Sequence, residues 1–184
     1  MSLIREVILS TIAADGTPHI APLGLISAGT REWIAAPFYP STTLENLRSI
    51  PEAVANYVDD VRIFAGCLTG RRNWPLLPSA QIRPPRLAGA LAHAELTVIA
   101  VEEDALRPRF RCRSCFEEMH APFRGFNRAQ AAVIEAAILL SRRHMLPPEK
   151  ISREIEVLRL QVEKTSSAEE AIAWEWLMAA FQQQ

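Results

Sequence analysis

Residues 39–47 read YPSTTLENL, with Ser41, Thr42 and Thr43 side by side directly before a helical pattern. One hydroxyl is enough to cap a helix. Thr42 with Glu45 three residues on has the spacing of a capping box, and a cap contributes about 1 kcal/mol. That leaves Ser41 and Thr43 without a task. The alternative chemistry is anion binding. A helix N-terminus presents unpaired N–H groups at the positive end of its dipole. Hydroxyls around it add donors, each worth about 1.5–3 kcal/mol toward a charged group. A dianion also wants a cation, and Arg31, Arg48, Arg62 and the four arginines of 71–86 are candidates that the sequence alone does not separate.

Other reactive residue types are weaker leads. CRSC (112–115) has C-x-x-C spacing, and His120 follows. A structural zinc site needs four ligands, and the second half of such a knuckle is missing. A redox pair would need βαβ surroundings, which are also missing. Two ordinary reduced cysteines and no metal are expected. His19, His93, His120 and His144 are scattered, and His144 reads as a dipole partner at a helix end. Glu135 interrupts an apolar helix face, and a buried carboxylate needs a partner such as Arg142 or Arg143. CFEEMHAPFRGFNR (115–128) reads as a packed linker or a lid. No nucleophile–base pair, G-x-G-x-x-G or P-loop pattern is present.

These residues need elements to position them. The first 66 residues read as strands punctuated by turns. REVILSTIA (5–13) and PHIAPLGLI (18–26) flank Asp15-Gly16, a hairpin signal, and Pro18 and Pro22 restrict the return strand to edge or bulged pairing. REWIAAPF (31–38) is a third strand. TTLENLRSI (42–50) is a short helix stopped by Pro51, and EAVANYV (52–58) is a strand. DDVRIFAGCL (59–68) fits helix or strand. The proline- and arginine-rich 71–86 reads as an irregular loop, 87–103 as a long strand, and 107–115 as a strand or a loop.

From about residue 127 the apolar period becomes helical. Asn127 caps a helix over 128–146 with an inner stripe of Val133, Ile134, Ala137, Ile138, Ser141 and Met145. Arg142, Arg143 and His144 fall in its last turn. A second helix covers 149–165, and Ser167 with Glu170 forms a capping box before a third over 168–182. Trp174 and Trp176, two apart, cannot share one helix face. The order is α+β: a β-rich domain over 1–122 and a helical subdomain over 123–184.

The 184 residues are 49% hydrophobic, and 20 Lys+Arg balance 21 Asp+Glu. A packed core follows. The balance counts against nucleic-acid binding, which wants a basic excess. No signal-peptide core and no membrane span is legible, so a cytoplasmic protein is expected.

DGTPHIAPLG (15–24), FYPSTTLENL (38–47) and VANYVDD (54–60), in that order, resemble the FMN-binding split-barrel (flavin reductase-like) fold, and more narrowly the DUF447 family. FNRAQAAVIEAAILLSRRH (126–144) is similar to that family's helical extension. The resemblance implies a split β-barrel followed by helices, and an FMN-binding homodimer with flavin near the subunit interface. It implies that Ser41, Thr42, Thr43 and Asn46 border the phosphate and ring. Ala21, Pro22, Leu23 and Gly24 would lend backbone to the isoalloxazine edge, with Asn56 and His19 beside it. Relatives often place an arginine three residues before the key threonine, where this chain has Tyr39 and Pro40. The implied function is an FMN-dependent oxidoreductase acting on an unknown small substrate. The alternative is a non-catalytic flavin-binding or regulatory protein whose helices recruit a partner.

Overall fold

A computed structural model describes residues 3–183. Two compact units divide the chain. One runs through Val58 and resumes over Trp74–Pro122; the other joins Asp59–Asn73 to the residues from Phe123 onward. The segment 59–73 therefore groups with the C-terminal helices, although the sequence read 1–122 as one stretch.

The first unit is a closed six-stranded barrel. Its strands are β1 (Ile4–Ile12), β2 (Pro18–Gly29), β3 (Glu32–Ala35), β4 (Glu52–Tyr57), β7 (Ala92–Glu102) and β8 (Arg109–Met119). They close in the order β1-β2-β3-β8-β7-β4. The β1–β2 turn forms as the sequence dictates: the Asp15 carboxylate accepts from the Thr17 N–H at 2.9 Å, and Gly16 takes φ +89°. β3 is shorter than the 31–38 expected, because Arg31 adopts φ +60° and β2 bulges between Ser27 and Gly29. β8 is longer than expected and pairs with β7 along its whole length. Alternate residues face inward, as a pleated strand requires. Val7, Leu9, Leu25, Leu96 and Phe110 fill the interior beside the small Ala35, Ala53, Ala55 and Ala94.

Helix α1 (Thr42–Ser49) packs on β1 and β2 and buries Leu44 and Leu47 in the barrel core. Its cap is Ser41, whose hydroxyl accepts from the Leu44 N–H at 3.3 Å. The expected Thr42–Glu45 box does not form, since the extended backbone lies at Ser41, Thr42 is already helical and Leu44 at the third position has no carboxylate to reach back.

The stretch 74–91 is less irregular than its prolines suggest. A short hairpin, β5 (Leu76–Leu77) with β6 (Arg86–Leu87), anchors it. Side chains of β4 and β7 hold its backbone. The Asn56 carbonyl oxygen accepts from the Leu87 N–H at 2.7 Å, and the Glu95 carboxylate accepts from the N–H groups of Ala80 (2.5 Å) and Gln81 (2.7 Å).

The second unit is helical: α2 (Arg62–Leu68), α3 (Arg128–Ser141), α4 (Pro148–Thr165) and α5 (Ala168–Gln182). Asp60 settles the ambiguity of 59–68, because its carboxylate accepts from the Arg62 N–H at 3.0 Å and starts a helix. Asn127 caps α3, and Ser167 and Glu170 make the capping box of α5. The buried stripe of α3 is Ala129, Ala132, Val133, Ala136, Ala137 and Leu140. It is rotated from the expected one, so Ser141 and Met145 are exposed and Glu135 faces solvent with no burial to offset. α3 also ends at Ser141, before the basic residues expected in its last turn. Arg143 instead donates to the carbonyls of Ala180 and Gln183 at the end of α5. Trp174 is buried, and Trp176 lies under the Arg71 guanidinium at 4.5 Å. No described helix is long and apolar enough to cross a membrane.

Candidate cofactor-binding site

Strand β2 has two unequal sides. β1 pairs with it from Ile12↔Pro18 to Ile4↔Ile26, whereas β3 pairs only from Ile26 onward. Residues 18–25 thus have a second edge without a strand neighbour among the described residues. The prolines explain it, since Pro18 and Pro22 cannot donate into a second ladder. Ala21, Pro22, Leu23 and Gly24 lie on this stretch, each half-buried. His19 is also half-buried and stands opposite Thr11 of β1.

α1 is fastened to the same hairpin. The Asn46 amide donates to the Thr11 hydroxyl at 3.0 Å, and both residues are buried. Asn46 thereby places the helix instead of presenting its amide outward. At the other end of α1, Thr42 is exposed and Thr43 is buried. No hydrogen bond of the Thr43 hydroxyl occurs among the described residues, and the N–H groups of Thr42 and Thr43 have no acceptor there. The first turn keeps donors available on a helix that packs against β1 and β2.

Asn56 has a different position. It is fully buried, donates to the Ile8 carbonyl (2.9 Å) and the Ser10 hydroxyl (2.8 Å), and accepts from Leu87. Its amide is used inside the barrel and under the 74–91 segment.

The arginines read from the sequence have other partners. Arg48 pairs with Glu103 at 2.7 Å, Arg31 with Glu117 at 3.7 Å and Arg83 with Glu52 at 3.3 Å; Arg62, in the helical unit, pairs with Asp60. Arg107 escaped the sequence reading. It donates to the Ala36 carbonyl at 2.9 and 3.1 Å and lies 4.4 Å from the centre of the Phe38 ring, on the segment leading into α1. Only a contact 71 residues apart in sequence reveals it. Beside that segment a cavity of about 400 Å³ is lined by Tyr39, Arg48, Glu103, Asp104, Ala105 and Pro108.

The C-x-x-C does not form a pair. Cys112 points into the barrel core, and burial pushes its thiol up to about 12. Cys115 sits at the β7–β8 bulge with its thiol toward the Glu95 carbonyl at 3.3 Å. Two of the seemingly scattered histidines do meet: His93 Nδ1 and His120 Nε2 are 2.9 Å apart. Phe123 and Phe126, expected in a packed linker, are exposed and touch each other edge to face.

Comparison with protein families places residues 5–121 in the family described as "Protein of unknown function (DUF447) N-terminal domain". Residues 127–179 match its companion, "Protein of unknown function (DUF447)". The chain belongs to the DUF447 family. Among solved structures, an FMN-bound DUF447 protein from Methanosarcina mazei is similar over 96% of this chain and 94% of its own, with 21% identity and a TM-score of 0.82. The 2-nitrobenzoate 2-nitroreductase of Pseudomonas fluorescens is similar over 63% of this chain and 65% of its own, at 18% identity and a TM-score of 0.54. The flavin reductase component of a bacterial two-component tryptophan halogenase covers 65% of this chain and 82% of its own, at 16% identity and a TM-score of 0.54. No curated protein matches. The two reductases share the barrel fold, and the DUF447 protein shares the fold of nearly the whole chain.

Proposed function

We propose that this DUF447 chain binds FMN, with the phosphate at the first turn of α1 and the ring along the open edge of β2, and acts as a flavin-dependent oxidoreductase on a small substrate. The observation that carries the reading is local. The unpaired N–H groups and the Thr42 and Thr43 hydroxyls of α1 stand on a helix that packs against the strand whose second edge is open. The residues fit the group. A phosphate needs several convergent donors, and the first turn offers two N–H groups and two hydroxyls. A planar ring edge carrying donors and acceptors suits an unladdered stretch of backbone, which the Pro22 carbonyl and the Gly24 N–H and carbonyl supply, while Ala21 and Leu23 turn their backbone groups to β1. The relative that is similar along nearly the whole chain is FMN-bound, which supports the choice of flavin.

Bound FMN supplies the electron and hydride chemistry, and the protein supplies position and electrostatics. Asn46 fixes α1 through Thr11, so the donors of the first turn keep one geometry. The Ser41 hydroxyl accepts the capping hydrogen bond and keeps its proton to donate to the anion, beside the hydroxyls of Thr42 and Thr43. Arg107, from the β7–β8 connection, lies over Phe38 and is the cation against the segment that leads into α1. Phe38, Tyr39 and Leu106 are exposed apolar residues on the same flank, and they suit the homodimer in which a second subunit shields the flavin.

The test is the visible absorption spectrum of the purified protein, with the released chromophore weighed and then mixed anaerobically with NADH or NADPH. FMN that bleaches on addition supports an oxidoreductase. FMN that binds but is never reduced by either donor leaves a flavin-binding protein without that activity.

A further inference from the structure

Strand register assembles a second polar site on the barrel from residues other than those of α1. β7 carries His93 and Glu95, two apart, and β8 carries Glu118 with His120 two beyond it. His93 stands directly opposite Glu118. Residues two apart on a strand share a face, so HAE (93–95) and EMH (118–120) place two imidazoles and two carboxylates on one face.

The inner half of this group is built and dry. Glu95 is fully buried, and a buried carboxylate must be compensated. It accepts from the N–H groups of Ala80 and Gln81, and from His93 Nε2 at 3.3 Å. His93 is 2% exposed. With Nε2 committed to Glu95, its Nδ1 turns a lone pair outward, and His120 Nε2 lies 2.9 Å from it. Glu118 completes the group: the ligand atoms of His93, Glu118 and His120 all lie within 4.8 Å of one another. Arg86, whose guanidinium donates to the Leu87 carbonyl, is the neighbouring cation, against the two carboxylates.

We propose that His93, His120 and Glu118 form a binding site for a divalent transition-metal ion of the zinc class, with Glu95 orienting His93 from behind. A carboxylate that holds the far ring nitrogen of a ligating histidine is the usual support of such sites. The outer ligands are free to tighten, since Glu118 is exposed and His120 lies past the last residue of β8. Two imidazoles and one carboxylate favour zinc and its neighbours over magnesium or calcium, which take oxygen ligands. Three protein donors leave a position for water. A shared proton would join the two rings but would give neither Glu118 nor the converging geometry a task.

The full-length chain, stripped with a chelator and dialysed, is titrated with Zn²⁺ against a chromophoric chelator and separately with Co²⁺ by visible absorption. One tight equivalent and tetrahedral-type Co²⁺ bands are expected. His120→Ala, a change outside the core, should weaken Zn²⁺ binding by more than about 100-fold, beyond the 10–100-fold typical of an outer-shell loss. Zn²⁺ should raise the melting temperature of the wild type but not of His120→Ala. Should Zn²⁺ bind His120→Ala as tightly as wild type, or fail to bind either, the pair is a plain hydrogen bond and the site is overturned. Neither readout requires flavin.

Discussion

The Asn46 amide donates to the Thr11 hydroxyl at 3.0 Å, and Thr11 stands opposite His19 on β2. This bond joins the helix that carries the hydroxyl triplet to the hairpin that carries the open edge. Both partners are buried, so the bond cannot be replaced by water from outside. Asn46→Ala should destabilise the protein by about 1–3 kcal/mol, the cost of an unmade buried hydrogen bond. Denaturant unfolding of Asn46→Ala, Thr11→Ala and the double variant measures it. A double variant that costs less than the sum of the two single changes shows the coupling.

Asn56 holds the 74–91 segment through Leu87 as well as bonding to β1. Asn56→Ala should cost about 1–3 kcal/mol for each buried group left unpaired, and should loosen that segment. Limited proteolysis checks it: cleavage between 76 and 86 should accelerate in the variant while the rest of the barrel stays resistant.

The three cysteines should be slow with thiol reagents. Burial pushes Cys67 up to about 11 and Cys112 up to about 12, and raises Cys115 as well, with the Glu95 charge adding to it. A raised thiol pKa removes thiolate, the reactive form, leaving about one part in a thousand or less at pH 8 for the first two. Titration with a disulfide reagent at pH 8 should label Cys115 first, and all three only after denaturation. Fast labelling of Cys112 in the native protein would contradict its place in the core.

Glu32 bridges Arg113 and Arg111 across β3 and β8. Those hydrogen bonds hold its carboxyl below the ordinary glutamate value. A group whose pKa is depressed on folding stabilises above its unfolded value and loses that contribution as the pH falls through its folded value. The melting-temperature advantage of wild type over Glu32→Gln should therefore be present at neutral pH and shrink below the ordinary glutamate range. The two arginines are exposed and Glu32 is half-buried at the surface, so the effect should be small and screened by salt.

Much of the architecture was legible in local chemistry. Asp15-Gly16 specified its turn, Pro51 stopped α1, and Asn127 and the Ser167–Glu170 pair started their helices where expected. The α1 cap fell one residue early because Ser41 and Thr42 are equally good caps by type, and only backbone geometry chooses. The buried face of α3 was misread because alanines form it, and they look neutral beside Ile134 and Ile138. α2 stayed ambiguous because seven residues are too few to separate the two periods. What the sequence hid most was long-range register. The His93–His120 contact, the Arg107–Ala36 contact and the use of Asn56 under Leu87 all depend on which strand lies beside which, and local pattern carries no such information.

The most direct test is FMN titration of the flavin-free protein, wild type against Thr42→Ala/Thr43→Ala, followed by quenching of flavin fluorescence. A phosphate held by these two hydroxyls at about 1.5–3 kcal/mol each predicts one FMN per subunit for the wild type and a loss of about 100-fold or more in the variant. Equal affinity in the two proteins, or no binding by the wild type, would contradict the assignment and return Ser41–Thr43 to helix capping alone.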